Sequence, residues 1–305
     1  MRLCSFLPSA TEILYELGLG NDVVGVTHAC DFPSDVRHKT VVVRSVFDAS
    51  EMNSAQINNV IVQLVREGKD VYAVDDTALK KADPDLIVAQ GLCEVCSPHM
   101  KELDRAMNIL NNKPEVIVLD PHDLDDILSS IADVARKVGR EKRGDEIITQ
   151  LKRRIDNISS TTSGGGSKPK VLCIEWLDPL FTSGHWVPQM VEIAGGVNGI
   201  SKRRERSRRM EWREAIEFDP DVIVLMPCGF DIELTMNELW RLEKAEEWKM
   251  LRAVKSGEVY ATNASPYFSR PGPRTVTGLE ILAKIIHPEL FDACEVPENS
   301  YRKVY

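Results

Sequence analysis

Two apolar patterns alternate along this chain. Short runs such as Val23-Val-Gly-Val26, Leu86-Ile-Val-Ala89 and Val222-Ile-Val-Leu225 are apolar at nearly every position, as in strands buried on both faces of a parallel sheet. Between such runs, apolar residues recur every three or four positions, the spacing of one helix face. The longest case joins Leu124, Ile127, Leu128, Ile131, Val134, Ala135 and Val138, breaks at Gly139, and resumes with Ile147, Ile148, Leu151, Ile155 and Ile158. It predicts helices over 124–138 and 141–158 with charged outer faces. The Ser, Thr and Gly tract from Ser159 to Ser167 then reads as a flexible linker.

Taken in order, Arg2 to Leu7 is a strand, followed by a helix with Ser9 as N-cap and Glu12 completing a capping box. Further strands are expected at 71–74, 116–119, 170–176 and 259–262, and helices at 57–65, 190–194, 212–218 and 275–286. Leu177 to Pro188 reads as a long loop. Asp83-Pro-Asp-Leu-Ile-Val and Asp219-Pro-Asp-Val-Ile-Val repeat one pattern, an acidic turn after a helix that feeds a buried strand. The fold class is therefore α/β, with two Rossmann-like lobes whose parallel-rich sheets are bridged by a long helix. The expected division is 1–122, 123–160 for the connecting helices, and 161–305, with a ligand cleft between the lobes.

With 305 residues the chain is long enough for two domains, and its net charge of −9 argues against general nucleic-acid binding. Lys202 to Arg209 is the exception, with six basic residues in eight positions. No apolar run is long enough to span a membrane. The N-terminus enters a strand with no apolar leader, so a cytoplasmic location is expected, and the seven cysteines read as thiols or ligands.

Candidate chemistry gathers in loops that follow predicted strands. Cys93-x-x-Cys96 has the spacing of a metal pair or a redox dithiol, and His28 and Cys30 can complete a Cys₃His zinc set. Buried thiols that only fill volume are the alternative. Cys173 and Cys228 read as structural, although Cys228 is also placed to offer a thiolate to a bound cobalt or iron; His185 reads either as an imidazole ligand there or as an exposed loop histidine. Trp186, Trp212, Tyr267 and Phe268 offer flat walls for a large ring or, equally, core packing. Arg270 and Arg274 flank Pro271-Gly-Pro273 and can pair with a carboxylate or phosphate, and Glu175 and Asp178 bracket Trp176. No nucleophile–base–acid set and no nucleotide-binding glycine motif is visible.

Leu7-Pro-Ser-Ala-Thr-Glu-Ile-Leu14, Thr27 to Pro33, Phe181-Thr-Ser-Gly184 and Arg270 to Arg274 resemble substrate-binding proteins of the vitamin B12 and iron-siderophore type. The likeness extends to a cobalamin-binding branch at Gln90 to Cys96, Gly184 to Pro188, Pro227 to Phe230 and Phe268 to Arg274. It implies two α/β lobes joined by a long helix and a corrinoid or related metal chelate held without catalysis. The implied ligand contacts are Phe32, Gln90, Phe181, His185, Trp186, Trp212, Tyr267, Phe268 and Arg270, with Gln90 standing where a pocket tryptophan is expected. Thr77 and Arg213 stand where the family shows glutamates that dock an ABC permease, which weighs against docking. Two other readings stay open: a cytoplasmic metal-handling or redox enzyme using the Cys/His set, and an extracytoplasmic ABC-transporter component for B12 or iron chelates.

Overall fold

In the computed structural model, which describes residues 1–92, 100–164 and 166–305, the chain forms two compact units. The first comprises 1–52, 56–121 and 125–148, and the second 53–55, 122–124 and 149–305. The helix Glu141–Thr162 contributes its first eight residues to the first unit and the remainder to the second.

The first unit holds strands β1 (Leu3–Ser5), β2 (Val23–Thr27), β3 (Val41–Ser45), β4 (Tyr72–Val74), β5 (Leu86–Gln90) and β6 (Glu115–Leu119). Their order is β4-β3-β2-β1-β5-β6, parallel throughout except for β4. The second unit holds β7 (Val171–Leu177), β8 (Leu180–Thr182), β9 (Val222–Leu225), β10 (Val259–Thr262) and β11 (Tyr301–Lys303). Here the order is β11-β10-β9-β7-β8, with β7, β9 and β10 parallel and an antiparallel strand at each edge. Two α/β units with parallel-rich sheets are the architecture that the apolar runs imply.

The repeated Asp-Pro-Asp pattern performs the same task in both units. Asp83 and Asp219 end their helices in left-handed conformation, with φ of +38° and +46°. Two residues on, Asp85 donates its backbone N–H to the Arg2 carbonyl at 2.8 Å and accepts the Arg2 N–H on its carboxylate at 2.7 Å. Asp221 makes the matching pair with Lys170, at 2.8 Å both ways. Each aspartate thereby sets the register of one central strand against its neighbour before the ladder begins.

The cores follow from the apolar runs. Cys4, Phe6, Val42, Val43, Ile87, Ala89 and Leu103 pack together in the first unit. In the second, Leu172, Ile174, Ile223, Leu225 and Val259 from the sheet meet Leu242, Trp248 and Leu251 from the segment before β10. Trp248 is 1% exposed, and its indole N–H donates to the Tyr305 hydroxyl at 3.2 Å. Burial pushes the thiols of Cys4 and Cys173 well up from the ordinary range, so both are inert fillers.

Several local expectations are corrected. The first helix spans Pro8–Glu16 with Leu7, not Ser9, at its N-cap, because Pro8 supplies a preset φ at the first helical position. The linker begins later than its composition suggests. The helix runs on to Thr162 because Ser160 and Thr161 hydroxyls return to the Asn157 carbonyl (3.0 and 2.8 Å) and Thr162 reaches the Ile193 carbonyl (2.9 Å). The loop expected from Leu177 to Pro188 contains β8, which turns back on β7, and a helix, Val187–Ile193, begins at its end. Beyond β8, Thr182 donates to the Arg208 carbonyl and Met210 to the Leu180 carbonyl, both at 2.9 Å, with Phe181 bridged to Arg209. The basic segment is thus laid along the sheet edge.

Two chain segments outside 149–305 are tied into the second unit. Ser54 donates its backbone N–H (3.2 Å) and its hydroxyl to the Glu238 carboxylate, which also accepts Arg241 Nε at 2.7 Å. The Leu124 N–H donates to Gln189 Oε1 at 2.8 Å, and the buried Asp123 pairs with Arg203 (3.1 Å) and Arg204.

Trp248→Ala is expected to destabilise the second unit by about 3–5 kcal/mol, since a buried indole leaves a cavity that its neighbours fill only in part; denaturant unfolding measures it. A side chain at Gly184 would put its Cβ 2.2 Å from the Ser207 nitrogen and 2.6 Å from the Arg206 carbonyl carbon. Gly184→Ala should therefore cost about 1–3 kcal/mol through forced backbone movement and speed trypsin cleavage within 202–209. An unchanged cleavage rate would show that the segment is not held there.

Candidate functional site

In open α/β sheets, ligands meet the carboxyl ends of the parallel strands. In the first unit these ends lead into Leu7 to Thr11 after β1, Thr27 to Pro33 after β2, and Gln90 to Leu92 after β5. Cys30 is buried, with its Sγ 3.1 Å from Thr11 Oγ1 and 3.4 Å from Thr27 Oγ1. His28 is exposed on the same loop. Its backbone N–H donates to the Val43 carbonyl at 3.0 Å, and its ring lies 6.1 Å from that of Tyr72. Desolvation by its surroundings still lowers the His28 pKa. Phe32 is 42% exposed, while Gln90, the last residue of β5, is buried. Cys93 and Cys96 lie outside the described residues, and among those described no group of three or more His, Cys, Asp or Glu side chains is placed to hold a metal.

In the second unit the carboxyl edge is aromatic. β7 extends past its partner β9, and the Trp176 ring meets Phe230 edge-on at 5.4 Å. Phe181 is the direct cross-strand partner of Trp176, so both side chains stand on one face of the hairpin. The Trp176 indole N–H is buried and meets no acceptor among the described residues. Backbone bonds fix the loops around this group. Cys228 donates to the Glu175 carbonyl (3.0 Å), and Ala264 and Ser265 donate to the Phe230 carbonyl (3.0 and 3.2 Å). Gly229 donates to Ser269 Oγ at 3.4 Å. Arg270 follows directly, and its carbonyl accepts the Thr275 hydroxyl at 2.9 Å. Tyr267 and Arg270 are half-buried on this turn.

The other aromatic candidates sit elsewhere in the second unit. Trp186 and Phe268 are each 4% exposed, and the Trp186 indole donates to the Phe268 carbonyl at 3.0 Å. Trp212 packs against the core edge-on to Trp248 at 6.2 Å. As placed, these three contribute packing. His185 is half-buried, stacked on Trp186 at 5.6 Å and 5.7 Å from the ring of His122. Trp176 and Phe230 are the residues that sequence reasoning passed over. Trp176 lay inside a predicted strand between two acids, and only the β7–β8 hairpin reveals which way it points. Thr77 and Arg213 are exposed, and Arg213 pairs with Glu217 at 2.7 Å within its own helix.

Known proteins share this construction. Residues 5–266 match the family described as periplasmic binding protein. The chain is 25% identical over 297 residues to an ABC transporter substrate-binding lipoprotein of Bacillus subtilis, covering 95% of this chain and 81% of that one. It is 23% identical to the vitamin B12-binding protein of Vibrio cholerae, covering 92% and 86%. Among solved structures, the periplasmic heme-binding protein RhuT of Roseiflexus superposes with a TM-score of 0.71 at 19% identity, covering 95% and 98%. The B12-binding protein BtuF of Vibrio cholerae superposes at 0.66 and 20%, covering 94% and 96%. These findings overturn the expected cytoplasmic location, because the relatives are lipoproteins or periplasmic proteins. Where the sequence begins carries no information about compartment. Matched over residues 5–266 and built of the two α/β units described above, the chain belongs to the periplasmic binding protein family.

Proposed function

We propose that this chain is the extracytoplasmic solute-binding component of an ABC-type uptake system, and that its ligand is a tetrapyrrole-type metal chelate, a corrinoid in the first instance. It holds that ligand without chemical change. The family match and the named relatives, which bind B12 or belong to ABC transporters, support the uptake role. The ligand class rests on one observation: Trp176, Phe181 and Phe230 gather at the carboxyl edge of the second sheet. Flat apolar rings suit a macrocycle, and stacking of this kind adds about 0.5–1.5 kcal/mol per pair beyond area burial. Tyr267 and Arg270 complete the set, Arg270 facing a carboxylate or phosphate substituent. Because Thr77 and Arg213 replace the expected docking glutamates, a permease would be engaged through other residues of the surface.

Calorimetry and visible titration with cyanocobalamin, hydroxocobalamin and haem test the reading. One corrinoid should bind per chain, and Trp176→Ala and Phe230→Ala should each weaken it about tenfold, equivalent to ~1.4 kcal/mol. If neither corrinoid nor haem binds at ligand concentrations of order 1 mM, where only affinities weaker than about −4 kcal/mol escape detection, the ligand class is wrong.

A further inference from the structure

We propose that His122 and His185 form a two-imidazole site for a divalent transition-metal ion of the zinc and copper class. Both residues belong to the second unit, and neither is among the rings proposed to take the ligand. Their ring centroids are 5.7 Å apart with planes tilted by 45°. A metal–nitrogen bond is about 2.0–2.1 Å and the ring centre lies roughly 1.1 Å behind the nitrogen, so two imidazoles on one ion have centroids about 5.2 Å apart at a tetrahedral angle and about 6.4 Å when opposed. The observed centroid spacing falls inside that window.

The pair is also held from behind. His122 precedes Asp123, which is buried between Arg203 and Arg204, and Leu124, whose N–H is fixed by Gln189. His185 adopts φ +53°, an uncommon conformation for a residue with a side chain. That conformation is secured on both sides by the basic segment: its N–H donates to the Glu205 carbonyl at 2.6 Å, and its carbonyl accepts the Arg204 N–H at 3.0 Å. Trp186 covers one face of the His185 ring. The Nδ1 atoms of both histidines are shielded from solvent. One loop, 203–205, therefore positions both imidazoles, through an ion pair to the neighbour of the first and through the backbone of the second. Asp123 offsets the charge of the two guanidiniums beside the site. Imidazole is the ligand that zinc, copper and nickel share, so the class follows from the donors. Two protein donors leave the remaining positions to water or to a small anion, which implies a moderate rather than a very tight site.

The test is calorimetric titration of the full chain with Cu²⁺ and Zn²⁺ in a Cys93→Ser, Cys96→Ser background, which removes the Cys-x-x-Cys pair as a competitor. One ion per chain is expected with a dissociation constant of order 1 μM, weakened at least about tenfold by either His122→Gln or His185→Gln and unchanged by His38→Ala. Electron paramagnetic resonance of the Cu²⁺ form should show coupling to two imidazole nitrogens, reduced to one in each variant. Thermal melts of the metal-free variants confirm that they fold. Absence of binding at about 1 mM ion, or binding that both glutamine variants retain at full strength, overturns the site.

Discussion

The exchange of hydrogen bonds between each Asp-Pro-Asp turn and the strand beside it is the constraint on which both units rest. A short, wholly apolar strand carries no pattern that distinguishes one register from the next. Asp85 against Arg2 and Asp221 against Lys170 supply the missing information with one carboxylate and one N–H each. The left-handed residue two positions earlier stops the helix and turns the chain into the sheet. Once these strands are aligned, their carboxyl ends come level within each sheet, and the loops that follow them emerge along that sheet's edge. The same device in both halves is the strongest internal evidence that they are two versions of one construction.

The elements legible in the sequence are those whose pattern is self-sufficient. Val222–Leu225, Val259–Thr262, Trp212–Phe218 and Thr275–Ile286 have the expected bounds, each being a dense apolar run or a clear helical stripe. Two of the strands missed depend on partners elsewhere, whereas β3 is an apolar run of the same kind that the reading passed over. β8 has three residues and exists because β7 is there to pair with it; β11 closes the far edge in the same way. Polar, hydroxyl-rich residues 159–162 looked like linker, yet their side chains return to helix carbonyls. Their composition records a preference; the neighbouring Ile193 carbonyl decides the outcome.

Aromatic residues show the same limit more sharply. Trp176, Trp186, Trp212 and Trp248 are chemically alike and similarly placed near loops. Trp248 and Trp186 are almost wholly buried, Trp212 leans on the core, and Trp176 stands at the strand-end edge beside Phe181 and Phe230. No local spacing separates these roles, because burial is a property of the whole unit. The family resemblance gave the class of fold and a plausible set of contacts, while the hairpin geometry identifies which rings share a face.

The basic segment laid along β8 has a further consequence. An edge strand with open N–H and C=O groups is a template for another chain, and β8 is an edge by sheet order. Residues 208–210 occupy part of that template and carry two exposed arginines in the process. A second copy approaching edge to edge would have to displace a paired segment and bring like charges together. In a chain whose net charge is negative, concentrating cations on this one border protects against self-association where the backbone is most vulnerable.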